Sequence, residues 1–379
     1  MKVIYISTSV IPSLTANSIH VMKMCQAMVQ EGHQPTLYAH RPAKTADQKS
    51  DNLWNHYGIS ERFAIRWLLP NQGHFAHYLT SIQAVWLAWR SHADLIYTRN
   101  VTAAAISSNL GLPTIYEIHD MPSGKLGPWL FTLFLRGRGL VRLVAITDAL
   151  RQDVLARYGY WLDGKDFIVA PDGVDLERFV DLPSPEEARY RLGLAALFTA
   201  GYAGSHYAGR GIELIFELAR LLPGVQFLIM GGDEQSVDAR RKQAVQQGLV
   251  NMYFVGFVSN ADLPLYLSAC EVLLMPYQRQ VAVSSGGNTV KYMSPLKLFE
   301  YMAMHRLVIS SDLPVLREVL NERNAILCDP EDIGMWQNAI KICMADVELR
   351  QRLGSQAWQD VQQYSWRKRV QRCLAEYHS

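Results

Sequence analysis

Three stretches of this sequence set ionisable side chains at spacings that suit ligand chemistry. In the segment 294–310, SPLKLFEYMAMHRLVIS, Lys297 and Glu300 stand three residues apart in an otherwise apolar run. Residues three apart on a helix share a face, and Ser294-Pro295 reads as the helix start. The backbone N–H groups of Leu296 and Lys297 then lack intrahelical partners and favour an anion, to which Lys297 adds a full charge. Glu300, one turn on, offers two oxygens to a pair of adjacent hydroxyls such as those of a ribose. A phosphate at the helix start and a ribose one turn later are what a nucleoside diphosphate presents. An exposed Lys–Glu pair at this spacing is worth only a few tenths of a kcal/mol, and the apolar flanks argue for a buried setting instead.

The second stretch is GYAGSHYAGRGIELIFELA, 201–219. A strand enters a loop with four glycines and leaves as a helix with apolar Ile212, Ile215, Phe216 and Ala219. Such loops let backbone N–H groups approach a phosphate, and Arg210 suits bidentate pairing with one. The spacing is not the GxGxxG dinucleotide fingerprint, since Leu214 holds the third glycine position. A tight strand-to-helix turn with a surface arginine fits the same pattern. The third stretch is IYEIHDMP, 115–122, where a strand ends in Glu117, His119 and Asp120. His119 there suits a sugar hydroxyl or the orientation of an acceptor, and equally a buried histidine bonded to backbone. A fourth, TSVIPSLTANSIHVMK at 8–23, offers Asn17 or Ser18 as the cap of the first helix. No group of residues has metal-ligand spacing, and no Asp-x-Asp stands at a strand end, so no metal and no cofactor are expected. A diphosphate leaving group would be neutralised by cations and helix dipoles.

The elements that must position these residues form two series. KVIYIST (2–8), QPTLYAH (34–40), DLIYTR (94–99), PTIYEIH (113–119), RLVAIT (142–147) and DFIVAP (166–171) are strand patterns separated by amphipathic helices. A second series runs through LFTAGYAG (197–204), VQFLIMGG (225–232), NMYFVGF (251–257), EVLLMPY (271–277), RLVIS (306–310) and NAILCD (324–329). Continuous apolar strands alternating with helices predict doubly wound parallel sheets. The expected α/β architecture is two Rossmann-like domains, 1–180 and 181–360, with a C-terminal helix in 361–379 packing back on the first. Ligands of such sheets bind beyond the carboxyl ends of the strands, here at a cleft between the domains.

Composition narrows the classes. The 379 residues carry 37 Lys plus Arg against 35 Asp plus Glu, a balance that does not point to nucleic acid. Five scattered cysteines without a CxxC pair argue against a zinc site or disulfide framework and for a reducing cytosol. The longest apolar stretch, LGPWLFTLFL (126–135), is too short to span a bilayer. With its arginines, 125–142 reads either as a buried helix, the favoured reading, or as a surface facing anionic lipid at the inner face of the membrane.

Taken together, the stretches resemble the family 4 glycosyltransferases, retaining enzymes of the GT-B fold that use nucleotide sugars. IVAPDGVDLERF (168–179) resembles the family's NGVD…F segment, with Asp172 where Asn is usual. GYAGSHYAGRG resembles the donor-phosphate loop, FVGFVSNADLPLYLSACEVLLMPY (254–277) the segment carrying the base-contacting loop, and SPLKLFEYMAMHRLVIS with SDLPVLREVL (311–320) the nucleotide-sugar signature. The likeness implies donor contacts from Gly204, Ser205, Gly211, Gly232, Val258, Ser294, Pro295, Leu296 and Glu300. It implies catalytic charge from Arg210 and Lys297, with His119 beside the sugar. Asn17, Ser18, Asp120 and Tyr292 would line the acceptor and sugar pocket.

The chain also departs from the pattern. Tyr292 stands where the first of two glutamates is usual, leaving the sugar contact to the loop 283–294. Ser205 replaces an arginine, and His305 and Leu307 replace a Gly and a Pro. The expected reaction moves a sugar from the donor to an unidentified hydroxyl acceptor. A GT-B epimerase or phosphorylase, or a sugar-binding protein without catalysis, are the other classes the fold admits.

Overall fold

The computed structural model describes residues 1–42, 50–69, 76–282, 288–375 and 377, the side chains of 50–52 excepted. The chain divides into two compact units, Met1–Asp172 with Trp366–Ser379, and Gly173–Ser365.

In the first unit the order is β1 (Lys2–Val10), α1 (Ala16–Gln30), β2 (Gln34–His40), α2 (Ser50–Tyr57), β3 (Ala64–Trp67), α3 (Ala76–Arg90), β4 (Leu95–Thr98), α4 (Val101–Asn109), β5 (Thr114–Ile118), α5 (Gly127–Arg136), β6 (Leu140–Ala145), α6 (Asp148–Leu162) and β7 (Phe167–Val169). Among the described residues these strands form one seven-stranded sheet, ordered β3-β2-β1-β4-β5-β6-β7, with every pairing parallel. The strands read as apolar runs because helices cover both faces. The short edge strand β3 escapes the sequence reading, because AIRW alternates half-buried and exposed residues over only four positions.

Two local details correct the sequence reading. The cap of α1 is Thr15, whose side chain accepts from the Ser18 N–H. Ser18 is buried inside the helix, its hydroxyl donating to the carbonyls of Ser13 and Thr15 at 3.0 and 2.8 Å. Beyond the end of this helix at Gln30, Gly32 turns the chain with a φ of 79° that a side chain would oppose.

The second unit runs α7 (Pro185–Leu192), β8 (Thr199–Ala203), α8 (Ile212–Leu221), β9 (Gln226–Met230), α9 (Glu234–Gln246), β10 (Met252–Gly256), α10 (Leu263–Ser268), β11 (Val272–Met275), α11 (Leu296–Ala303), β12 (Leu307–Ser311), β13 (Ala325–Cys328), α12 (Ile333–Ala345) and α13 (Val347–Val361). Its described strands form a parallel six-stranded sheet, β10-β9-β8-β11-β12-β13. Successive residues of a strand point to opposite faces, so each strand feeds two cores. Val272 and Leu274 of β11 enter one core with Ile215, Phe216 and Trp336. Leu273 and Met275 enter the other with Phe299, Tyr301 and Met302 of α11.

A last helix, α14 (Trp366–Leu374), belongs to the first unit and packs on α1. Arg142 of β6 caps it, donating to the carbonyls of Arg372, Cys373 and Ala375 at 2.7–3.0 Å. Orphan carbonyls at a helix end are satisfied this way. All five cysteines are buried free thiols.

Candidate functional site

The second unit builds an anion cradle beyond the carboxyl ends of β8, β9 and β11. Gly204 follows β8 with φ 156°, and Gly231 and Gly232 follow β9 with φ 99° and 82°. A Cβ on Gly204 would lie 2.6 Å from Lys297 Nζ, and one on Gly231 would lie 2.4 Å from the Gly204 carbonyl. A Cβ on Gly232 would strike the His206 ring at 2.7 Å. Glycine is thus required by close approach as well as by φ. Gly211, at φ 85°, is the residue before α8, and a side chain there would strike the Pro276 carbonyl at 2.0 Å.

Helix α11 aims Lys297 into this cradle. Pro295 is its cap and Leu296 its first residue, so the helix opens one residue later than the sequence implied. Tyr301, one turn after Lys297, ties α11 to β8 by accepting from the Ala203 N–H at 2.6 Å. Buried Leu298, Phe299 and Met302 fix the rest of the helix in the core. The Lys297 ammonium lies 4.0 Å from the Tyr202 ring and 5.0 Å from the Tyr277 ring, and it has no hydrogen-bond partner among the described residues. Burial, and after it Arg210, holds its pKa well below the usual lysine range. Arg210 lies 5.3 Å over Tyr277 and donates to its hydroxyl at 3.0 Å, while its Nε is buried without a partner. His206 is buried with both ring nitrogens unpartnered, and burial depresses its pKa to about 4. An arginine, a buried lysine that an anion would recharge, and a histidine, all with open hydrogen-bond capacity around glycine backbone, can together receive an anion.

The remaining expected residues of this unit divide. Ser205 gives its carbonyl to the Tyr202 hydroxyl at 2.8 Å and so shapes the loop. Ser294 and Leu296 stand at the start of α11, and Val258 packs half-buried against the core. Glu300 is half-buried and is an electrostatic neighbour of Arg178, whose guanidinium donates to Asn260 Oδ1 at 2.5 Å. Tyr292 donates its N–H to the Thr289 carbonyl at 3.1 Å, and the Lys291 ammonium lies 5.3 Å over its ring. Residues 283–287 of the loop named as a substitute sugar contact lie outside the described residues.

In the first unit the end of β5 carries a buried charge network. Glu117 accepts from Tyr97 and from His119 Nε2, and pairs with Arg369 Nη2 of α14 at 3.0 Å. His20 of α1 bonds Asp172 through Nδ1 at 2.8 Å, while its Nε2 stands 2.9 Å from Glu117 Oε1 without hydrogen-bond alignment. Arg99 donates to His119 Nδ1 at 2.9 Å. Burial alone would raise the Glu117 carboxyl, but Arg369 and His20 outweigh it and hold the pKa well below the usual range. Burial, then Arg99, presses His119 down to about 4, so its ring is neutral near pH 7. Arg369 also donates to the carbonyls of Pro171 and Ala170 at 2.8 and 3.1 Å. Asp172, in the position where the family pattern has Asn, thereby gains a reason: it orients His20.

Of the residues expected in the acceptor pocket, Ser18 is buried, Asn17 half-buried and Asp120 exposed, its carboxylate accepting from the Met121 N–H at 2.8 Å. The rings of His20 and His119 lie 5.4 Å apart, which brings α1 to the end of β5. The ligand atoms of His20, Glu117 and His119 lie within 4.8 Å of one another, near enough to hold a metal ion. However, Arg369 and Tyr97 occupy Glu117, and Arg99 occupies the other nitrogen of His119. Those groups make the trio an ion-paired network. Sequence reasoning missed His20, Arg99, Arg369, Tyr277 and His206, because their partners are remote in the chain or, for His206, because a loop histidine carries no pattern.

Comparison with known proteins bears on the family and the fold. A family described as Glycosyltransferase Family 4 matches residues 18–178, and one described as Glycosyl transferases group 1 matches 198–346. A phosphatidyl-myo-inositol mannosyltransferase of Mycolicibacterium smegmatis is 28% identical over 366 residues, covering 92% of this chain and 86% of that protein. A 2-deoxystreptamine glucosyltransferase of Streptomyces kanamyceticus is 32% identical over 133 residues, 33% of each chain. Among solved structures, HepE of Anabaena in complex with UDP has a TM-score of 0.73 at 18% identity, covering 98% of both chains. Sucrose-phosphate synthase of Thermosynechococcus elongatus reaches 0.72 at 19%, covering 98% of this chain and 96% of that one. The chain therefore belongs to the family 4 glycosyltransferases and is a glycosyltransferase of the GT-B fold.

Proposed function

We propose that this enzyme transfers a sugar from a nucleoside-diphosphate donor to a hydroxyl acceptor with retention at the anomeric carbon, without a metal ion. The observation that carries the donor assignment is the Lys297 ammonium, buried without a hydrogen-bond partner at the glycine cradle beside Arg210. Such a group waits for an anion. HepE, which shares the fold, has been solved with UDP and with UDP-glucose. The named relatives carry different acceptors in their names, phosphatidyl-myo-inositol and 2-deoxystreptamine, so the acceptor is assigned here only as an alcohol.

In the proposed step the acceptor hydroxyl approaches the same face of the sugar that the diphosphate leaves. The new bond forms between acceptor oxygen and anomeric carbon as the carbon–phosphate-oxygen bond breaks. The acceptor proton passes to the leaving phosphate oxygen. Lys297 and Arg210 take up the charge that develops on the diphosphate. Glu300 holds the ribose hydroxyls. Neutral His119, with Nε2–H directed at Glu117, lines the sugar pocket.

Donor turnover across UDP-, GDP- and ADP-sugars tests the donor site. Arg210→Ala and Glu300→Ala should each lower kcat/KM by about 100-fold, and near-normal values in both contradict the assignment. The anomeric configuration of the product, read by NMR, tests retention, and unchanged turnover in excess chelator tests metal independence.

A further inference from the structure

Helix α3 wears its large apolar residues on the outside. Thr80, Ser81, Ala84 and Ala88 turn inward with Val85 and Leu87. Leu79, Ile82, Trp86 and Trp89 are 65%, 53%, 48% and 59% exposed. At 3.6 residues per turn these four fall within about 80° of arc, along about 15 Å of helix. Leu69 joins them, 61% exposed, with its N–H held by Gln83 of the same helix at 3.2 Å. Exposed apolar residues are ordinarily scattered, and a contiguous stripe with two tryptophans marks a contact surface.

Charge identifies the partner. Between Glu61 and Asp94 the chain contains no carboxylate and has Arg62, Arg66 and Arg90. The Arg90 guanidinium lies 5.0 Å over the Trp86 ring. Asp94 itself is engaged by the Lys2 N–H at 2.7 Å. Tryptophan beside arginine suits a lipid interface, where the ring enters the acyl boundary and the cation stays at the headgroups. A second copy of this chain fits less well, since in a two-fold contact the stretch 62–93 that carries the stripe brings no carboxylate to meet the Arg90 of the other copy.

We infer that the outer face of α3 docks the enzyme on a membrane interface containing anionic lipid. This differs from the segment 125–142 singled out by composition, because α5 turns Leu130, Phe131, Phe134 and Leu135 into the core. The inference is independent of the donor assignment.

Flotation of the full chain with phosphatidylcholine vesicles containing about 30% phosphatidylglycerol tests it. The wild type should float with these vesicles, less so at high salt and less on phosphatidylcholine alone. Trp86→Ser/Trp89→Ser and, separately, Leu79→Ser/Ile82→Ser should each weaken binding by about tenfold with unchanged melting temperature. Brominated lipid should quench the wild-type tryptophan emission and leave that of the Trp86→Phe/Trp89→Phe variant largely unquenched. Equal flotation of the wild type and both serine variants overturns the inference. So does a wild type that ignores the vesicles yet forms a dimer that the serine variants dissociate, which would make the face a subunit interface.

Discussion

Lys297 shows how one residue divides between stability and function. A buried donor without a partner costs about 1–3 kcal/mol, and burial with Arg210 suppresses the charge through which Lys297 would gain from the Tyr202 and Tyr277 rings. Lys297→Met keeps the stem and removes the charge, so this variant should melt no earlier than the wild type while losing the anion site. Thermal unfolding measures the first effect. His305 poses the opposite trade. Its φ of 53° is the left-handed conformation for which the family pattern supplies glycine, at a cost of about 1–2 kcal/mol. In return its ring stacks on Trp358 at 4.2 Å, a contact worth about 0.5–1.5 kcal/mol. His305→Ala keeps the strain and loses the stacking, so it should be less stable in urea than His305→Gly. His119 sets the pH behaviour at this scale. Its folded pKa of about 4 lies below the ordinary histidine value, so the native state binds fewer protons than the unfolded chain. Its effect on stability is therefore a loss as pH falls from about 6.5 toward 4. Across pH 5 to 8 a neutral His119 gives no ionisation in the rate, and a profile of donor kcat/KM without a step near 6.5 is the expected outcome.

At the scale of elements, α14 and β5 are joined by charge as well as by packing. Arg369 and Glu117 are 2% and 0% exposed at their side chains and lie 3.0 Å apart. Removing one partner of a buried pair leaves the other uncompensated, at about 3–5 kcal/mol. Arg369→Met should lower stability by that order in urea denaturation, and Arg369→Met/Glu117→Gln should recover a large part of it. Equal losses in single and double variants would mean that α14 is held by apolar contacts alone. The same network fixes the orientation of His119, so a helix more than 200 residues further along the sequence governs the side chain at the end of β5. Helix α11 plays the matching part in the second unit. Tyr301 anchors it to β8, and the anchor sets where Lys297 reaches.

At the scale of the whole molecule, the order of elements was legible because parallel strands covered on both faces are written as apolar runs. Edge strand β3 was not, since four alternating residues are too short a signal. Lys297, Arg210 and the glycines could be read from chemistry at fixed local spacing. The buried set at residues 20, 97, 99, 117, 172 and 369 could not, because nothing local marks residues that meet only through the fold. Nor was the outward face of α3 anticipated, since an apolar stripe in sequence does not say which way it turns. The account as a whole rests on a diphosphate seated at Lys297. Isothermal titration of nucleoside diphosphates (UDP, GDP and ADP) at mildly alkaline pH, in buffers of different ionisation enthalpy, tests that claim most directly. The wild type should bind at least one of them with net proton uptake, because the anion restores the charge that burial and Arg210 suppress on this lysine. Lys297→Met should bind the same nucleotide at least about 30-fold more weakly and take up no proton. Equal affinity and equal proton uptake in the two proteins would contradict the account.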